Sequence, residues 1–166
     1  LPNEAFTYAR PLRTDHSGRW HIFSKSGSSS RTHMFGNPSL LFDHNLELVW
    51  EKNRIPGAGH RAHFADVDGD GLHEMVIGFG LYDHDGSEIW AHAPPWPEAH
   101  LDDAVIGDMD GDGRAEIVMA CDGPETFVYD LAGRERFRVP LNRGRNLFLG
   151  KLLDRQLGEL RKLGLE

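Results

Sequence analysis

Cysteine is nearly missing from this 166-residue chain: Cys121 stands alone, which excludes an internal disulfide and any cysteine-based metal site. It lies in the apolar run Met119-Ala120-Cys121, where a buried structural thiol is expected. No apolar stretch approaches the roughly 18–20 residues that a membrane-spanning helix needs. Positive charge is scarce as well. Eighteen Lys and Arg face 26 Asp and Glu, a formal net charge of −8, and this argues against nucleic acid as a partner. The chain carries neither a phosphate-cradling glycine loop nor a paired nucleophile and base, so nucleotide binding and covalent catalysis are set aside. Disorder is excluded too, because 39% hydrophobic and 27% charged residues are ordinary for a folded domain.

What is present is written twice. Asp66-Val67-Asp68-Gly69-Asp70-Gly71-Leu72-His73-Glu74 returns as Asp108-Met109-Asp110-Gly111-Asp112-Gly113-Arg114-Ala115-Glu116, a spacing of 42 residues. Each copy gathers four carboxylates on one tight turn, and such a cluster repels itself unless a cation sits inside it. An all-oxygen donor set suits a hard ion and fits neither zinc nor copper. Both copies therefore read as calcium loops, giving two Ca2+ sites. Asp66, Asp68, Asp70 and Glu74 are the expected ligands of one ion, with the Leu72 carbonyl. Asp108, Asp110, Asp112 and Glu116 are those of the other, with the Arg114 carbonyl. An EF-hand would need a Glu at the twelfth position and an exiting helix. Here the twelfth position of the first copy is Ile77, and each Glu is followed by a β-branched run that reads as a strand.

A second element is written three times. Phe42-Asp43-His44-Asn45-Leu46-Glu47-Leu48-Val49-Trp50 is echoed from Tyr82 to Trp90 and again from Tyr129 to Phe137. Each reads as a strand end, a polar turn and a strand closing on a large aromatic, which is a β-hairpin. Trp50, Trp90 and Phe137 share one position in that unit and are expected to pack between sheets. A strand start before each loop repeats as well, Ala62-His63-Phe64-Ala65 and Ala104-Val105-Ile106-Gly107. Four short strands every 40 to 47 residues is the signature of a β-propeller blade.

The expected fold is therefore all-β: a propeller segment of about three four-stranded blades over residues 1–58, 59–100 and 101–143. A further blade start or a short helix is expected in 144–166. Residues 1–36 show little pattern beyond a strand near Trp20-His21-Ile22-Phe23 and a loop from Ser24 to Ser30. Three blades do not close a propeller of the usual four to eight. The chain is thus expected to be part of a longer protein, or to cover its open edges by self-association.

DxDxDG loops in four-stranded blades resemble FG-GAP or VCBS-type repeats. The pattern is similar to that of bacterial rhamnogalacturonan lyases with calcium-rich eight-bladed propellers. Gly59-His60, the loop Asp66–Glu74, the hairpin Tyr82-Asp83-His84-Asp85-Gly86 and the segment His100-Leu101-Asp102 carry the resemblance, over roughly residues 56–137. The sequence departs from the family at Ala99, where a glycine is usual, and at Val105, where a histidine is. The resemblance implies a secreted, extracellular or periplasmic protein acting on polysaccharide. It implies proton abstraction at C5 of a uronic acid, with a cation neutralising the carboxylate.

From the residues themselves, His60, His63 and His100 precede or open the strands leading into the two loops. Neutral histidine is a plausible proton acceptor, and Asp102 could orient His100. Arg61 could pair with a uronate carboxylate. Trp96, in the rigid Ala93-Pro94-Pro95-Trp96-Pro97 loop, could stack on a sugar ring or cap a gap between blades. Three functions stay open: a carbohydrate-associated binding or scaffold module, part of a polysaccharide lyase, and an integrin-like adhesion surface for protein partners.

Overall fold

Twelve β-strands form three four-stranded antiparallel sheets in this computed structural model, which describes residues 6–26, 36–121 and 123–140. The first sheet contains β1 (Phe6–Leu12), β2 (His21–Ser26), β3 (Ser39–Phe42) and β4 (Leu48–Lys52). The second contains β5 (Ala62–Ala65), β6 (Glu74–Ile77), β7 (Gly80–Tyr82) and β8 (Glu88–Ala91). The third contains β9 (Leu101–Gly107), β10 (Glu116–Cys121), β11 (Glu125–Asp130) and β12 (Glu135–Pro140). In each sheet the spatial order is the chain order, an up-and-down meander. Among the described residues there is no helix, and so none long and apolar enough to cross a membrane. The helix or further strand expected beyond residue 144 lies outside the described residues.

Burial explains why the middle strands read as unbroken apolar runs. Every residue of β6, β7 and β10 is buried. In β6 the side chains alternate between two cores. Met75 and Ile77 join Leu12, Phe23 and Leu41 of the first sheet, and Val76 joins Ile117, Met119 and Phe127 of the third. The second sheet is thus covered on both faces, and a strand apolar on both faces shows no period of two. The fourth strands β4, β8 and β12 are mostly exposed, with Trp50, Trp90 and Phe137 half-buried.

The shared aromatic position docks each sheet onto the turn of the next. The Trp90 indole N–H donates to the Leu131 carbonyl at 3.0 Å, and the ring lies over Gly133 so closely that a Cβ there would sit 2.8 Å from it. Gly86 stands under Trp50 in the same way, at 2.9 Å. Both glycines have positive φ, +86° and +77°. The corresponding residue of the first hairpin is Leu46, which takes φ 65° although it is not glycine and is exposed.

The N-terminal region carries more structure than its composition suggests. The first three residues of the loop expected from Ser24 to Ser30 are strand instead, because β2 runs to Ser26, and Lys25 is fully enclosed; the rest of that expectation lies outside the described residues. The Lys25 ammonium donates to the carbonyls of Ala58 and Gly59 at 2.6 Å each. Two short charge-assisted bonds replace the water that burial removes.

Candidate functional site

Each acidic loop joins the first strand of its sheet to the second, β5 to β6 and β9 to β10. Both adopt one hydrogen-bond pattern. Asp66 accepts the N–H groups of Gly69 and Gly71 at 2.7 and 2.9 Å, as Asp108 accepts those of Gly111 and Gly113 at 2.6 and 2.9 Å. Asp68 accepts Asp70 N–H and Asp110 accepts Asp112 N–H, both at 3.1 Å. Asp70 takes Leu72 N–H, and Asp112 takes Arg114 N–H. The closing glutamates reach back to the second loop residue: Val67 N–H donates to Glu74 Oε2 at 2.8 Å, and Met109 N–H to Glu116 Oε2 at 2.9 Å. Gly69, Gly71, Gly111 and Gly113 all take positive φ, and no atom lies within 4 Å of where a Cβ would stand, so conformation rather than space demands glycine.

The donor set fits a hard divalent cation. Carboxylate oxygens of Asp66, Asp68 and Asp70 lie within 4.8 Å of one another, as do those of Asp108, Asp110 and Glu116. Glu74 and Glu116 are almost wholly buried, and Glu74 Oε1 has no hydrogen-bond partner. Burial pushes both glutamate carboxyls up, and the neighbouring aspartates add to it: Asp68 and Asp70 for Glu74, Asp110 and Asp112 for Glu116. A bound cation would reverse that sign.

The surroundings of the two loops differ. His73, in the first loop, donates its N–H to the Arg13 carbonyl at 2.8 Å and accepts Arg13 N–H on Nδ1 at 2.9 Å. Trp20 stacks on the same imidazole at 6.4 Å between ring centroids. At the second loop the position of His73 is Ala115, and Arg136 approaches Asp110 at 3.8 Å.

The histidines gather where β5 meets β9, in two clusters. In one, His60 Nε2 and His100 Nε2 flank Asp102 Oδ1 at 3.6 and 3.4 Å, with the rings 5.2 Å apart edge to face. These three side chains bring possible ligand atoms within 4.8 Å of one another. The cluster is held through the backbone, where His60 N–H donates to the Leu101 carbonyl at 2.8 Å and Leu101 N–H to the Gly57 carbonyl at 3.0 Å. Gly59 makes this crossing possible, since a Cβ there would lie 1.8 Å from the Leu101 oxygen. Burial pulls the His60 imidazole down, while Asp102 opposes the shift and His100 adds to it.

His63 belongs to the other cluster. Its Nε2 sits 2.8 Å from Asp103 Oδ1 and 3.0 Å from Ala104 N, with Arg61 3.7 Å from Asp103 Oδ2. Burial pulls this imidazole down too, against Asp103. Asp103 had no mark in the sequence beyond its neighbour Asp102. Arg61 is exposed, whereas Trp96 is only partly so. The Trp96 indole rests on Gly123, where a Cβ would come within 1.9 Å, and on Phe127 at 6.4 Å.

No protein-family model matches the chain, and no curated protein sequence matches it. Solved structures do. The rhamnogalacturonan lyase YesW is 21% identical with a TM-score of 0.58, over 83% of this chain and 24% of that one. The exotype rhamnogalacturonan lyase YesX is 20% identical with a TM-score of 0.59, over 83% of this chain and 24% of that one. The V. cholerae biofilm matrix protein Bap1 is 17% identical with a TM-score of 0.53, over 84% of this chain and 29% of that one. The chain spans about a quarter of the length of these proteins. At this identity the likeness is one of fold, an all-β arrangement shared with rhamnogalacturonan lyases and a biofilm matrix protein.

Proposed function

We propose that the three sheets are consecutive blades of a β-propeller with FG-GAP/VCBS-type calcium repeats, divided near residues 58 and 100. In this reading the chain is a carbohydrate-associated binding or scaffold module of a secreted protein. The observation that carries it is the pair of acidic loops, which share five hydrogen bonds residue for residue at the same place in two sheets. Asp66, Asp68, Asp70, Glu74 and the Leu72 carbonyl would hold one calcium ion. Asp108, Asp110, Asp112, Glu116 and the Arg114 carbonyl would hold the other. The ions' role is structural: each cancels like-charge repulsion and pins the turn between two strands. Glycan recognition would fall to the seam between the second and third sheets, where Arg61 stands exposed beside the His60–Asp102–His100 cluster.

Calorimetry with calcium tests the first part. Two equivalents are expected, one lost in Asp66→Asn and the other in Asp108→Asn; no calcium heat would end the proposal. Affinity electrophoresis on rhamnose- and uronate-containing polymer tests the second, with retardation expected for the wild type and lost in Arg61→Ala.

A second reading is favoured by the two imidazoles flanking one carboxylate: the module belongs to a polysaccharide lyase acting by β-elimination. A neutral imidazole, His60 or His100, would take the C5 proton of a uronate. The C4–oxygen bond would break, the C4–C5 double bond form, and the departing oxygen collect a proton. Ultraviolet absorbance of the unsaturated product would appear with the full-length protein and vanish in His100→Ala. An absence of product on pectic and ulvan-type polymers would leave the binding module standing.

A further inference from the structure

The hairpin aspartates occupy one position in all three sheets but do not share one environment. Asp43 and Asp130 each cap their own turn, accepting the N–H groups two and four residues on, from Asn45 and Glu47 and from Ala132 and Arg134. Asp83 does neither. The N–H of Ser87 goes instead to Asp85, and Asp83 Oδ1 accepts only the adjacent His84 N–H.

The neighbours across the sheet sharpen the contrast. Asp130 pairs directly with Glu116 in the β10–β11 ladder, two carboxylates face to face. Like charges so placed destabilise a sheet, and there the Arg134 guanidinium answers them with a 2.8 Å bond to Asp130 Oδ2. In the second sheet Met75 pairs with Tyr82, so Glu74 and Asp83 meet at the next rung. The residue equivalent to Arg134 is Ser87, and among the described residues no Lys or Arg forms an ion pair with Glu74 or Asp83. In place of Leu131 the turn has His84, whose Nδ1 lies 2.7 Å from Asp83 Oδ1 but out of line for a hydrogen bond.

Two buried polar atoms here make no hydrogen bond among the described residues, Glu74 Oε1 and His84 Nδ1, the latter against Asp83 Oδ1 at 2.7 Å. Glu74 is only 2% exposed, and its other oxygen is spent on Val67 N–H. Ligand atoms of Glu74, Asp83 and His84 all lie within 4.8 Å of one another. We propose that Glu74, Asp83 and His84 form a third cation site, distinct from the calcium loops and selective for a first-row divalent metal such as zinc or cobalt. One imidazole nitrogen with two carboxylates is a borderline donor set, which calcium does not favour. Metal–ligand bonds of about 2.1 Å in a tetrahedral shell put neighbouring donors about 3.4 Å apart, inside the 4.8 Å that encloses these three ligand atoms. The cation would do in the second sheet what Arg134 does in the third, with Glu74 shared between this ion and the loop.

Cobalt(II) titration followed by visible absorption and calorimetry tests this, on chain without a histidine tag and saturated with calcium. One equivalent of cobalt that calcium does not displace is expected. Its affinity should fall more than about 100-fold in His84→Ala and in Asp83→Asn, beyond the roughly 10–100-fold that removing a group that merely supports a metal ligand costs. It should persist in His60→Ala, which removes the other histidine cluster, and in Asp66→Asn, which disables the loop. Ser87→Arg, which supplies the third sheet's guanidinium, should weaken cobalt binding while raising the melting temperature of the metal-free chain. The proposal is overturned if His84→Ala binds cobalt like the wild type, or if calcium displaces all of it.

Discussion

The seam between the first and second sheets and the seam between the second and third are made of the same backbone parts and differ in what fills them. At the first, polar groups are spent on cohesion. Lys25 holds two carbonyls, the Tyr8 hydroxyl donates to the Ala62 carbonyl, and the Arg13–Trp20 segment clasps His73 of the neighbouring acidic loop. At the second seam the polar groups are titratable side chains facing one another, His60, His100 and Asp102 beside His63, Asp103 and Arg61. Polar groups at one seam are thus bound to backbone carbonyls, while at the other they are titratable side chains in contact with one another. The acidic loops follow the same division: protein braces the first from outside, while among the described residues the second has its own bonds and Arg136.

Calcium removal should show that division most strongly. On the proposed reading, with affinities of about 10⁻⁴–10⁻³ M, two sites at roughly 2 mM free calcium would contribute about 1–4 kcal/mol, or about 2–16 °C in melting temperature for a chain of this size. Hydrogen exchange in chelator should accelerate more at Gly111 and Gly113 than at Gly69 and Gly71. Equal acceleration would erase the distinction between braced and unbraced loops.

Lys25 gives the first seam a pH dependence of its own. Burial pulls its ammonium from the ordinary 10.5 to about 7. Between those values the unfolded chain binds the proton that the native chain has released, so stability rises with pH. The slope is at most about 1.4 kcal/mol per pH unit. Melting followed from pH 7 to 9 should show the rise, and Lys25→Met should flatten it. A fall in wild-type stability over that range would mean that the charged amine is what the carbonyls of Ala58 and Gly59 require.

His73→Ala removes one acceptor and a ring stack, which should cost about 1 kcal/mol. It should also bring the exchange of Gly69 and Gly71 in chelator up to that of the second loop. The smallest effect concerns the second seam alone. Asp102 holds the His60 imidazole up against burial, so Asp102→Asn should lower the His60 titration midpoint in NMR and leave that of His63 in place.

How much of this the sequence discloses depends on whether the contact is local. The acidic loops are nine consecutive residues, and the hairpins are Asp-turn-aromatic units, so both repeat visibly. The buried runs of β6 and β10 are visible too, because no polar residue interrupts them. Lys25, Tyr8 and Arg13 could not be read that way. Each acts on a residue tens of positions away in another sheet, and no repeat echoes it. His63 shows the same limit. It precedes the first loop much as His60 does, yet the strand carries it to Asp103 rather than Asp102, and only the packing of β5 against β9, in two different sheets, decides which carboxylate each imidazole meets. Asp83 looks like Asp43 and Asp130 in the chain; its difference lies in what stands across the sheet.

The seating of each tryptophan on a following glycine gives the molecule a direction. Trp50 is covered when Gly86 arrives, and Trp90 when Gly133 does, so the first and second sheets are each finished by material synthesised after them. On the ribosome such a chain sets in sequence, with each new turn latching the sheet before it, and a stall between two sheets leaves an indole waiting in water.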